Sequence, residues 1–111
     1  MSDSIDREKA LEWLDGDEKF FLKLKAMLVK DLPEHVEELK TGIAQNDIAL
    51  VERISHSIKG AASMAGAAPL KDLACRIESS AMQGDIVKAG ELFGLLKQEA
   101  ERAVKDLNEK I

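Results

Sequence analysis

The side chains best suited to chemistry in this chain stand in one pentapeptide, His56-Ser57-Ile58-Lys59-Gly60. In a helix, residues three and four apart share a face, so the histidine, the lysine and the glycine are predicted to lie together. A neutral imidazole is a nucleophile, an ammonium group stabilises negative charge, and a glycine leaves space for an approaching molecule. The pentapeptide therefore predicts a nucleophilic histidine that is presented to a partner.

The apolar residues around the pentapeptide predict the direction in which His56 points. If residues 47–65 are helical, six of them gather into one apolar stripe: Ile48, Val51, Ile54, Ile58, Ala62 and Ala65. At about 100° per residue, His56 lies roughly 160–200° from Ile54 and Ile58. We therefore expect the imidazole on the solvent side of the helix and not in the core.

Residues that share the exposed sector with His56 are predicted to form a partner-binding surface: Glu52, Arg53, Gly60, Ser63 and Met64. This surface mixes both charges with a small apolar element. We expect a small and transient interface of about 1,200 Å² in total, with micromolar-class affinity. The adjoining face of the helix predicted over residues 17–43 is expected to contribute to it.

The composition limits the class of protein. The 111 residues are enough for one domain, predicted over residues 1–111, and 45% hydrophobic with 33% charged residues is a globular balance. A net charge of -5 and 4% aromatic residues argue against nucleic acid as the partner. A single cysteine gives neither an internal disulfide nor a zinc motif. No signal peptide or membrane span is recognised, so we expect a cytoplasmic protein without a membrane partner.

Apolar residues recur at three- and four-residue steps along the whole chain, which predicts an all-α protein. A short helix is predicted over residues 7–14, followed by a long helix that Asp17 caps. The long helix carries a repeated apolar face: Phe20, Leu24, Leu28, Leu32, Val36, Leu39 and Ile43. Because Pro33 interrupts this face, we expect a kink or a break near Asp31.

Three further helices are predicted, with boundaries set by capping residues. Asn46 or Asp47 begins the third helix and Gly66 ends it, while the fourth runs from Pro69 to Gly84. Its inner stripe is Leu70, Leu73, Ile77 and Ala81. The fifth is predicted over residues 85–107, with four core residues: Leu92, Leu96, Ala103 and Val104. Short connections favour an up-and-down antiparallel four-helix bundle with the short N-terminal helix as a cap.

Two glycines inside the predicted fifth helix, Gly90 and Gly94, each cost roughly 1 kcal/mol relative to alanine. Close approach of a neighbouring helix is the interpretation we favour for them. Cys75 lies among apolar residues and is predicted to be a buried, inert thiol. His35 is expected to be a surface residue, and Trp13 a lid over the end of the bundle.

Residues 55–67 resemble the motif of histidine-containing phosphotransfer (HPt) domains. The family pattern is a histidine, a hydrophobic residue two positions on, Lys-Gly, small residues, and a second glycine ten positions after the histidine. His56, Ile58, Lys59-Gly60 and Gly66 match it. Residues 15–18 and 70–78 also resemble family segments, so the likeness extends over about residues 5–107. Two departures, Ser55 in place of alanine and Ala65 in place of a larger aliphatic residue, concern packing and not chemistry.

The resemblance implies a phosphorelay intermediate. His56 would accept a phosphoryl group from the aspartyl phosphate of a receiver domain and pass it to an aspartate on another. Lys59 would give electrostatic support, and Glu78 holds the position from which a carboxylate or amide reaches the imidazole. The implied partners are response-regulator receiver domains, a hybrid histidine kinase, or both. The domain is expected to act as a monomer.

The chain carries neither an aspartate cluster for Mg²⁺ nor a glycine-rich nucleotide loop. We therefore expect no metal site and no cofactor in this chain, with Mg²⁺ and the phosphoryl group brought by the receiver. Such a protein is a phosphoryl carrier and not an enzyme. Two alternatives remain open: the phosphoacceptor domain of a chemotaxis-type histidine kinase, and a non-phosphorylated adaptor bundle. The identity of the phosphoryl donor separates the three functions.

Overall fold

The computed structural model describes residues 18–110, apart from the side chains of residues 18, 21, 109 and 110. These residues form four helices: α1 (Glu18–Ala44), α2 (Ile48–Ala65), α3 (Ala68–Met82) and α4 (Ile86–Lys110). Connections of two or three residues turn each helix back on the previous one. α1 packs against α2 and α4, and α3 packs against the same two helices. The predicted all-α up-and-down four-helix bundle is confirmed, whereas the predicted helix over residues 7–14 and Trp13 lie outside the described residues.

The apolar stripes of the four helices meet along the axis of the bundle. The largest side chains that are almost completely buried come from every helix: Leu32, Leu39, Ile54, Ile58, Leu70, Ile77, Leu96 and Leu107. Phe20 was predicted to continue the α1 stripe, but it is 43% exposed. The four-residue repeat used for that prediction drifts by about 40° per step, so Phe20 lies roughly 120° from Leu32. No helix in the range 18–110 is long and apolar enough to cross a membrane.

The predicted capping residues fix both ends of α2. The Asp47 carboxylate accepts a hydrogen bond from the Leu50 backbone N–H at 3.1 Å, and this satisfies one free donor of the first turn. Gly66 ends the helix with φ 72°. In that left-handed conformation, which favours glycine, the following N–H of Ala67 bonds the Ala62 carbonyl at 2.8 Å. Because the helix begins after Asp47 and ends before Gly66, His56 lies in its middle turns.

The prediction about the α4 glycines was wrong, and of the kink or break predicted near Asp31 of α1 only the break is excluded. α1 continues through Pro33 without the predicted break; the predicted kink stays a prediction. Helix packing also gives no need for glycine in α4, because a Cβ on Gly94 would meet nothing within 4 Å and one on Gly90 would only touch Ile43 at 3.6 Å. The glycine at a close helix approach is Gly42 of α1, where a Cβ would lie 3.1 Å from Val51.

Candidate functional site

His56 lies in the middle of α2 and points into solvent. Its side chain is 68% exposed, whereas Ile54 and Ile58 on the opposite face are buried. Ser55, which precedes it, is also buried, and its hydroxyl donates to the Val51 carbonyl at 2.7 Å. The serine that departs from the family pattern therefore has its hydrogen-bonding needs met within its own helix. The solvent-facing direction of the imidazole agrees with the helical periodicity.

A single carboxylate on α3 joins His56 and Lys59. His56 Nδ1 lies 2.7 Å from Glu78 Oε2, and Lys59 Nζ donates to Glu78 Oε1 at 2.6 Å. Glu78 follows the buried Ile77, and its contacts with His56 and Lys59 place its side chain on the flank of α3 that faces α2. The side chains of Glu78 and Lys59 are 12% and 29% exposed, so both are much less exposed than the imidazole.

Lys59 and Glu78 each stabilise the charged form of the other. Partial burial by itself would raise the pKa of Glu78, but the hydrogen bonds from Lys59 and His56, together with the electrostatic attraction of both groups, outweigh burial and lower it. The same hydrogen bond from Lys59 to Glu78 raises the pKa of the lysine, against a smaller opposing effect of burial. At neutral pH, Glu78 is therefore a carboxylate and Lys59 an ammonium group.

An ionised Glu78 determines where the proton of a neutral His56 ring resides. A carboxylate can only accept a hydrogen bond, so the ring nitrogen at 2.7 Å, Nδ1, must be the donor. The lone pair of the neutral ring then lies on Nε2. A nucleophile of this kind can attack an electrophilic phosphorus without first losing a proton to a base.

The five residues predicted as a partner-binding surface have different exposures. Arg53, Gly60 and Met64 are exposed, whereas Glu52 and Ser63 are half-buried beside them on α2. A Cβ on Gly60 would meet no atom within 4 Å, so packing inside the bundle does not require a glycine there. The space above Gly60 is open to a second molecule.

One exposed residue of α1 extends this surface and was missed by the sequence analysis. Met27 is exposed. α1 and α2 touch where Gly42 meets Val51. Met27 lies about 20 Å along α1 from Gly42, and Met64 lies about 20 Å along α2 from Val51. Because the two helices are antiparallel, both displacements have the same axial direction. Met27 also lies about 60° around α1 from Gly42, which places it on the side toward α2. The antiparallel pairing of the two helices, which the α1 sequence alone does not reveal, brings these methionines to the same height.

One other sequence prediction, that of a buried Cys75, needs correction. Cys75 is exposed and not buried, because it lies two residues before the buried Ile77 and thus about 200° around α3. His35 is half-buried on α1, so part of its side chain lies at the surface. Among the described side chains, no group of three or more His, Cys, Asp or Glu could hold a metal ion.

The four-helix bundle with an exposed histidine is the architecture of a phosphotransfer domain, and comparison with known families identifies the family. The family model described as "Hpt domain" matches residues 23–106. The chain therefore belongs to the Hpt family, as its resemblance to phosphotransfer domains predicted. Residues 23–106 therefore form a phosphotransfer domain of the kind that works in two-component signalling.

Individual relatives agree with this assignment. The phosphorelay intermediate protein rdeA of Dictyostelium discoideum is 25% identical over 105 residues, which cover 95% of this chain but only 41% of rdeA. The histidine-containing phosphotransfer protein B (HptB) of Pseudomonas aeruginosa PAO1 has a similar fold, with a TM-score of 0.88, 21% identity, and coverage of 99% of this chain and 96% of its own. The HPT domain of a sensor hybrid histidine kinase from Shewanella has a TM-score of 0.69 at 21% identity, with coverage of 93% and 95%.

Proposed function

We propose that His56 is the phosphoacceptor of this domain and that Nε2 is the atom that carries the phosphoryl group. The observation that supports this most strongly is the contact between His56 Nδ1 and the ionised Glu78 at 2.7 Å. It leaves the Nε2 lone pair on a side chain that is 68% exposed. The donor is the aspartyl phosphate of a receiver domain, and the acceptor is the aspartate of another receiver.

Lys59 and Glu78 assist this transfer in different ways. The Lys59 ammonium lies one helical turn from His56 and offsets negative charge on the transferring phosphoryl group. Glu78 orients the ring. The receiver supplies Mg²⁺, so the chain acts as a phosphoryl carrier without a metal, nucleotide or catalytic site of its own. We further propose that it works as a monomer in the cytoplasm.

The receiver docks on the outer surface of α2 around His56, with Gly60 as the point of closest approach. Arg53, Glu52 and Ser63 supply polar contacts, and Met64 adds an apolar one. Met27 brings a second flexible apolar side chain from α1, of the kind that adapts to different partners. An interface of about 1,200 Å² would exclude water during transfer and still release the partner quickly. A hybrid histidine kinase can present its receiver to the same surface.

The direct test is to mix the chain with phosphorylated receivers from its source organism. We expect acid-labile, base-stable phosphate on the wild-type chain and on His35→Gln, and none on His56→Gln. Labelling of His56→Gln would contradict the site. Labelling only by a kinase with ATP would indicate a chemotaxis-type phosphoacceptor domain, and labelling by neither donor would indicate an adaptor.

A further inference from the structure

Glu78 contacts both His56 and Lys59, and its negative charge would act on the His56 ring after phosphorylation. We propose that Glu78 keeps the phosphorylated His56 ring protonated on Nδ1 and so makes it a reactive phosphoryl donor. This inference rests on the proposed function and deepens it. The proposed function concerns how His56 accepts the phosphoryl group, whereas this inference concerns how readily His56 donates it.

The chemistry of the departing group explains why the Nδ1 proton matters. When an oxygen nucleophile attacks the phosphorus, a new O–P bond forms and the N–P bond breaks, with its electron pair returning to Nε2. If Nδ1 carries a proton, the group that leaves is a neutral imidazole. If Nδ1 has lost its proton, the leaving group is an imidazolate anion, which departs far less readily. The nucleophile is the carboxylate of a receiver, or a water molecule that gives its proton to solvent.

The geometry of the cluster suits this task. Lys59 occupies Oε1 of Glu78, so Oε2 remains directed at His56 Nδ1. A phosphorylated ring that is protonated on Nδ1 carries positive charge, and a carboxylate 2.7 Å from Nδ1 stabilises that charge. Glu78 is only 12% exposed, which limits screening by water. The Lys59 ammonium offsets the repulsion between Glu78 and the phosphoryl group.

Replacing Glu78 with glutamine separates charge from shape. The amide oxygen of Glu78→Gln can still accept a hydrogen bond from Nδ1, but it no longer stabilises the positive ring. Glu91→Gln is the matched control, because it removes one carboxylate from an exposed site on α4, which packs against α1 and α3 and lies across the bundle from α2. Potassium phosphoramidate can phosphorylate all three proteins, with ammonia as the leaving group, so no receiver is needed. Decay of the phosphohistidine is followed by ³¹P NMR slightly above neutral pH.

We expect the phosphohistidine of Glu78→Gln to survive roughly tenfold longer than that of the wild type, since hydrogen bonds to charged groups are about twice as strong as neutral ones. Glu91→Gln should decay like the wild type. The ¹⁵N spectrum of the phosphorylated wild type should show a proton on Nδ1, and this result does not depend on how well the variant folds.

Equal lifetimes in Glu78→Gln and the wild type would overturn the inference, as would an unprotonated Nδ1 in the phosphorylated wild type. Either result leaves His56 as the phosphoacceptor. Absence of phosphate on His56 from both phosphoramidate and phosphorylated receivers would instead overturn the proposed function, and this inference with it.

Discussion

Two edges of the bundle differ in what joins their helices. Where α1 meets α4, a mainly apolar groove of about 250 Å³ is lined by Leu32, Val36, Ala100 and Val104, with Glu37, Lys97 and Glu101 also in its lining. Where α2 meets α3, the partly buried Glu78 carboxylate joins Lys59 and His56 at the surface. Ion pairs at a protein surface contribute only about 0–1 kcal/mol to stability, and the His56 side chain of this cluster is 68% exposed. The α2–α3 edge therefore holds the His56 imidazole in position, whereas mainly apolar side chains line the α1–α4 edge.

The largest expected effect comes from removing the imidazole. His56→Gln should abolish phosphoryl acceptance and leave the melting temperature nearly unchanged, because an exposed side chain carries little packing energy. Labelling by phosphorylated receivers and thermal denaturation should be measured on the same preparation.

The contrasting variant on the same helix is Ile58→Ala. Ile58 is completely buried, so this change should cost about 2–5 kcal/mol of unfolding free energy. The fraction of protein that remains folded should still accept phosphate. If the two variants had similar effects on stability, the two faces of α2 would not differ as described.

Loss of the ammonium group should have the next largest effect. Lys59→Ala should slow phosphoryl transfer by about tenfold to a hundredfold without abolishing it, since the lysine stabilises charge but forms no bond to phosphorus. Rapid-quench kinetics with a phosphorylated receiver would measure this. A variant as inactive as His56→Gln would show that the lysine is indispensable to the chemistry.

Two open glycines allow a matched test of docking. Gly60 and Gly94 are both exposed helical residues with no atom within 4 Å of an added Cβ. Gly60→Arg should weaken receiver affinity by about tenfold or more, because its bulk lies at the centre of the proposed interface. Gly94→Arg should leave affinity unchanged, and both should be at least as stable as the wild type. Equal affinity in the two variants would rule out the docking surface on α2.

The smallest expected effect is a pH dependence of stability. The pKa of Glu78 is lowered in the folded state, so its contribution to stability is fully present above the ordinary value of 4.5 and is lost as the pH falls through the lowered pKa. The stability difference between the wild type and Glu78→Gln should therefore shrink below about pH 4.5. Urea denaturation over a range of acidic pH would measure it. A difference that is independent of pH would show that the charge of Glu78 does not stabilise the fold.

Local patterns predicted most of the fold because they depend on neighbouring residues alone. The Asp47 and Gly66 caps and the buried face that runs from Val51 to Ala65 followed from spacing within one helix. Phe20 was wrongly placed in the core because small angular errors accumulate along a four-residue repeat. Cys75 was wrongly predicted to be buried because its neighbours in sequence are apolar, although it lies on the opposite face of the helix. The position of Glu78 came from family resemblance, because its reach to His56 depends on how α3 packs against α2.

We propose that His56 accepts phosphate on Nε2 while Glu78 holds Nδ1. The most direct measurement is the ¹⁵N and ³¹P NMR spectrum of ¹⁵N-histidine-labelled protein after transfer from a phosphorylated receiver. We predict coupling between phosphorus and Nε2 of His56, with the proton on Nδ1. Phosphorus on Nδ1, or on any residue other than His56, would contradict the proposed phosphoacceptor site.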